Sequence, residues 1–132
     1  MIVTEELEAI ESLWKTGLEE AFAAYQPASA AFGEVDAPRV ALAAALVEVA
    51  LGLQRLGRSA PTAPDLLRGD LCLARASRLL ADTRDTHLQV SFARAIEEQA
   101  AAAAAERELD PTRSRLLRAI HDASLDATAG GR

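Results

Sequence analysis

Three features of the chain predict an all-α fold. Alanine, leucine, arginine and glutamate dominate its 132 residues, and all four are good helix formers. Apolar residues recur at three- and four-residue spacing through most of its length. Its five prolines and seven glycines fall mostly between the periodic segments, where short interhelical turns need them. A single domain of this size can bury a substantial core. The expectation is therefore an antiparallel bundle of about five helices over residues 1–126, with a flexible tail at 127–132.

The first helix is expected over about residues 4–25, with Thr4 as its cap and Glu5, Glu6 and Glu8 in its first turn. Leu7, Ile10, Trp14, Leu18, Ala21 and Tyr25 share one face of it. Gln26-Pro27 should end it, and a short apolar turn from Ala28 to Phe32 stops at Gly33. Asp36 and Pro38 start a second helix over about residues 38–57. Leu42, Leu46, Val49, Leu53 and Leu56 form its apolar stripe. Its other face holds Glu48 and Arg55 among Ala41, Ala44 and Gly52, which are small enough for a neighbouring helix to come close. Arg58 to Pro64 then reads as a loop.

The third helix, residues 65–81, is the stretch around which the chain is expected to be organised. Leu66, Leu73, Ser77 and Leu80 collect on a broad apolar face flanked by Leu67, Ala74 and Ala81. Arg68, Arg75, Arg78 and Asp82 make a polar stripe, read as a solvated face with a phosphate or acidic-partner site as the alternative. Asp70 points into the apolar face at this phase, so a buried Asp70 with a hydrogen-bond partner is expected. Asp82 to Thr86 is a polar break, and either Asp85 or Thr86 can cap the fourth helix, 86–108. That helix carries Leu88, Phe92, Ile96, Gln99 and Ala103 on one stripe, and its Ala100–Ala105 half is narrow. A buried amide at Gln99 is awkward in a monomer, so the stripe is expected to form a subunit interface, with packing inside the bundle as the alternative. Asp110-Pro111 opens a last helix over about 111–124, lined by Leu116, Leu117, Ile120 and Ala123.

A net charge of −6 argues against nucleic acid as the main partner. Lys15 and Arg39 are the sole bases before Arg55, so the positive charge lies in the second half. The lone Cys72 excludes a disulfide framework and reads as an inert packed thiol. His87 and His121 stand in different helices without acidic or cysteine partners at metal-binding spacing, and read as surface residues. No phosphate loop, nucleophile motif or magnesium-holding acidic pair is present, so no catalytic residue, metal or cofactor is expected. The most apolar run, Val40 to Leu53, is too short to span a bilayer and contains Glu48. A chain opening on Thr4-Glu5-Glu6 carries no secretory pattern, so a cytoplasmic location is expected.

Taken in order, several segments resemble the trans-isoprenyl (polyprenyl) diphosphate synthases. Ala43-Ala44-Ala45-Leu46-Val47-Glu48 is similar to the family's Ala-Ala-Ala-x-Glu-Leu helix. Gln26-Pro27 through Gly33 resembles its Arg-Pro segment, with Gln26 in place of arginine. Gly57 to Thr62 is similar to Arg-Arg-Gly-x-Pro-Thr, and Gly69-Asp70-Leu71-Cys72-Leu73-Ala74-Arg75-Ala76 to Gly-Asp-x-Leu-Leu-Ala-x-Ala. Ala95 to Glu98 and Leu116 to Ile120 are weaker echoes. Both aspartate-rich magnesium motifs and the Gly-Lys-Arg of the family are missing, so nothing here could ionise an allylic diphosphate. The resemblance implies a non-catalytic accessory subunit that pairs with a catalytic polyprenyl diphosphate synthase and influences product length. It also implies Asp70 as a structural residue and a subunit-pairing helix at 86–108. Two other readings stand beside it: a self-associating helical protein with a prenyl or lipid-like ligand in an apolar cleft, and a helical adaptor sharing only composition with the synthases.

Overall fold

The computed structural model describes residues 12–54, 62–105 and 111–129, and every regular element in them is helical. A wide π turn over Trp14–Leu18 runs into α1, Glu19–Ser29, which tightens into a 3₁₀ turn over Ala30–Phe32. The remaining helices are α2, Gly33–Gln54; α3, Ala63–Thr83; α4, Thr86–Ala104; and α5, Thr112–Ala129. The all-α class follows directly. Thr4, the expected second-helix end near residue 57 and the Asp110 cap lie outside the described residues.

The element bounds depart from the sequence reading at two prolines. Pro27 does not end α1, which continues to Ser29 and then to Phe32. Proline removes one backbone donor, but the carbonyl left behind belongs to Ala23, whose residue is exposed and open to water. Pro38 likewise sits inside α2, not at its start. The turn falls at Gly33, whose φ of 89° is a conformation that residues with a Cβ rarely adopt. Asp36 in the first turn pairs with Arg39 at 2.9 Å. At the other end of the chain α5 continues through Ala129, three residues into the segment expected to be a tail.

The helix at the centre is α2, not α3. From Val40 to Leu51 it is buried almost all round, with Val40, Ala41, Ala43, Ala44, Ala45, Leu46, Val47 and Ala50 at or near zero exposure. A helix that is apolar on every side belongs in the middle of a bundle. It packs against α1, α3 and α5, while α3 and α5 each also meet α4.

The expected role of α3 is corrected by its own burial pattern. Its contact seam is Gly69, Cys72, Ala76 and Leu80, a line of mostly small residues. Of the expected leucine face, Leu80 joins that seam and Leu73 packs against the core, but Leu66 and Leu67 point outward, 43% and 61% exposed. Asp70 is exposed rather than buried, and accepts a 3.3 Å hydrogen bond from Gln54 Nε2. Close approach decides the register. A Cβ on Gly69 would lie 3.0 Å from Gln54 Cγ and 3.4 Å from the Ala50 carbonyl oxygen. The small seam lets α3 lie directly on α2, whereas the leucine face would hold the helices apart.

Caps fix both ends of α3 and the start of α4. Thr62 caps α3 by accepting from Asp65 N at 3.3 Å, and Arg84 closes it in the left-handed conformation. Of the two candidate caps for α4, it is Asp85 that serves, accepting from Leu88 N at 3.0 Å.

Candidate functional site

Two arrangements organise the interior of the bundle, and a third lies on its surface. The first is a polar node where α1, α2 and α5 meet. Tyr25 is fully buried on the inner face of α1, and a buried phenol needs an acceptor. Its hydroxyl donates to Glu48 Oε1 at 2.7 Å. Glu48 in turn receives Arg113 Nε and one terminal nitrogen, both at 2.9 Å. The guanidinium also grips Glu20 with two bonds of 2.8 and 2.6 Å. It stands 6.0 Å from the Tyr25 ring centroid. Each carboxylate thus meets the planar fork through two bonds, the geometry that arginine favours.

Electrostatics follow from that geometry. Burial pushes the Tyr25 hydroxyl well above its ordinary value, and the neighbouring Glu48 pushes it further. The hydrogen bonds from Arg113 hold the Glu20 carboxyl below the usual range. Those to Glu20 and then Glu48 keep the guanidinium charged. The node holds three helices in register. Its groups are already satisfied by one another, so no nucleophile or spare base is left in it.

The second arrangement is an apolar cleft of about 320 Å³. It exists because α2 and α4 make no close backbone contact, whereas α3 touches both. Val47 of α2 lies at its floor, Leu73, Ala76 and Leu80 of α3 on one side, and Phe92, Ala93 and Ile96 of α4 on the other. Ser77 and Gln89 supply its polar edge, and Gln89 Nε2 donates to the Leu80 carbonyl at 3.4 Å.

The third is a polar cleft of about 280 Å³ on the far side of α4, against α5. His87, Ser91, Arg94 and Glu98 line it from α4, and Arg115, Arg118 and Asp122 from α5. Arg115 and Glu98 form an ion pair across it.

The residues singled out in the sequence are distributed among these places. Leu88 and Phe92 are 0% and 1% exposed and Gln99 is 3% exposed, so the bundle's own core takes them up. That corrects the interface expectation for Leu88, Phe92, Ile96, Gln99 and Ala103: three of the five offer no surface. Ile96 and Ala103 are half-buried, and Phe92 and Ile96 instead line the apolar cleft. His87 and His121 are exposed. Cys72 is fully buried, and burial raises its thiol to about 11. Among the described residues no three His, Cys, Asp or Glu side chains gather as a metal would require. Nor is any described helix long and apolar enough to cross a membrane.

Sequence reasoning missed the polar node. Arg113 carries no pattern signal, and Glu20 sits on a polar face. The usable signal was Glu48, a lone carboxylate inside the most apolar run of the chain, which demands a cationic partner.

Set beside known proteins, the chain matches no family model, no curated protein and no solved structure.

Proposed function

We propose that the protein is a non-catalytic binding protein that takes an apolar, chain-like ligand into the cleft between α2, α3 and α4. The single observation that carries this is the cleft itself, about 320 Å³ with mainly aliphatic and aromatic walls and two polar groups at one edge. That size falls at the lower end for small-molecule sites. At roughly 30 Å³ per methylene-sized group, the space holds about ten carbons. Burying about ten methylenes contributes roughly 8 kcal/mol before the cost of association. After an association cost of at least about 4 kcal/mol, an affinity near millimolar follows, tighter for a ligand whose polar end reaches Ser77 or Gln89.

Competition with a fluorescent fatty acid tests the reading. Ala93 is exposed at the rim, so Ala93→Trp fills the cleft without disturbing the core. Wild type should bind the probe saturably and release it to unlabelled decanol, while Ala93→Trp should bind at least tenfold more weakly at unchanged helicity. Equal binding by the two proteins would refute it.

A second reading, the accessory subunit of a polyprenyl diphosphate synthase, draws support from where the resembling segments fall. Ala43–Glu48 and Gly69–Ala76 border the same cleft, through Val47, Leu73 and Ala76. A prenyl chain is then the ligand, shared with a catalytic partner whose product it helps to size. Co-expression with the host's synthases followed by pull-down tests this, and failure to retain any synthase would count against it.

A further inference from the structure

We infer that the polar cleft between α4 and α5 is a binding site for a phosphate-bearing anion, separate from the apolar cleft on the other side of α4. The argument begins with the pairing of the two helices. They are joined by a short connection, and the Arg115–Glu98 ion pair crosses between them near that end. That pair accounts for the charges of Glu98 and Arg115. Further along, Arg94 of α4 and Arg118 of α5 line the same cleft, and neither makes an ion pair or side-chain hydrogen bond among the described residues. A bound anion in the recess would draw on both cations at once. Asp122 on the wall offsets one positive charge, so the recess keeps a net positive charge in a chain of net −6.

A guanidinium fork meets carboxylate and phosphate alike through parallel N–H bonds. A carboxylate's two oxygens are used up by one fork facing it, whereas the three terminal oxygens of a phosphate ester can serve two arginines at once. The recess of about 280 Å³ holds roughly nine water-sized groups, more than one phosphate fills. It therefore favours a phosphate ester over the free ion.

Isothermal titration with inorganic phosphate and with phenyl phosphate, at fixed low ionic strength, tests the site. Both arginines are exposed, so Arg94→Gln/Arg118→Gln should keep the fold and the binding of the apolar probe. Wild type should bind phenyl phosphate saturably and more tightly than inorganic phosphate. The double variant should lose at least tenfold in affinity, and added salt should weaken wild-type binding. A flotation arm with phosphatidylcholine vesicles, with and without phosphatidylserine, separates a lipid headgroup from a free ester. Vesicle binding that needs both the anionic lipid and the two arginines identifies the headgroup as the source. Absence of saturable binding to every probe, or equal binding by the double variant, would overturn the inference. Since the apolar probe reports on the other face of α4, the two readings fail independently.

Discussion

Replacing Glu48 by alanine removes the acceptor of three of the node's five hydrogen bonds. Two losses follow. Tyr25 is fully buried, so its hydroxyl keeps its desolvation but loses its 2.7 Å acceptor, at about 1–3 kcal/mol. Arg113 loses two bonds to a carboxylate but retains Glu20. The Arg113 and Glu48 side chains are 33% and 23% exposed, so water screens that pair and its loss counts for about 1 kcal/mol. Alanine returns a few tenths of a kcal/mol through helix propensity. The net expectation is about 2–3 kcal/mol, read as a lower urea midpoint by circular dichroism with an unchanged slope. Tyr25→Phe removes donor and hydroxyl together and should cost about 1 kcal/mol. The double variant should cost less than the sum, because both changes break one bond. A Glu48→Ala loss below about 0.5 kcal/mol would refute the idea that the node holds the three helices together.

Three further outcomes follow from the packing. Tyr25 is the chain's single tyrosine, so absorbance at tyrosinate wavelengths reports on it alone. Its folded-state pKa is raised above 10.0, so its stabilising contribution is complete below about pH 10 and is lost as pH rises further. Tyrosinate should accordingly appear together with loss of helicity, and ionisation in a fully helical protein near pH 10 would contradict this. Gly69→Leu should destabilise by about 1–3 kcal/mol in urea, since the α2 backbone and Gln54 occupy the space a side chain needs; a stabilised variant would show that α3 does not lie so close. Asp70→Ala should change stability by less than about 0.5 kcal/mol, because the carboxylate is exposed and gains one long hydrogen bond. A loss of several kcal/mol would restore the buried reading of Asp70.

Much of the architecture was legible in the sequence because helix propensity and period act locally. The apolar face of α1 through Leu18, Ala21 and Tyr25 is buried as the spacing requires. Asp85 caps α4 as one of the two named candidates. Which helix lies in the middle was harder to read. Pattern rewards large apolar residues, so the leucines of α3 outweighed the alanines of α2, yet small residues determine how closely helices approach. Gly69, Cys72 and Ala76 form the seam, and Leu66 and Leu67 are left facing out. The same bias placed Asp70 inside and gave the stripe of Leu88 and Phe92 to a partner, when the chain's own core takes it up. The sites were least legible, because each joins residues far apart in sequence. The Arg113–Glu48 bond spans 65 positions and the apolar cleft runs from Val47 to Ile96, distances over which period carries no signal.

The most direct test of the binding role is to watch the cleft fill. With methyl groups isotope-labelled, titration of decanol should shift the resonances of Val47, Leu73, Leu80 and Ile96, which line the cleft, and saturate together at one equivalent. Leu18 and Leu116, buried elsewhere in the core, should stay unmoved. Shifts scattered over the surface, or none at any concentration that keeps the protein folded, would contradict the account.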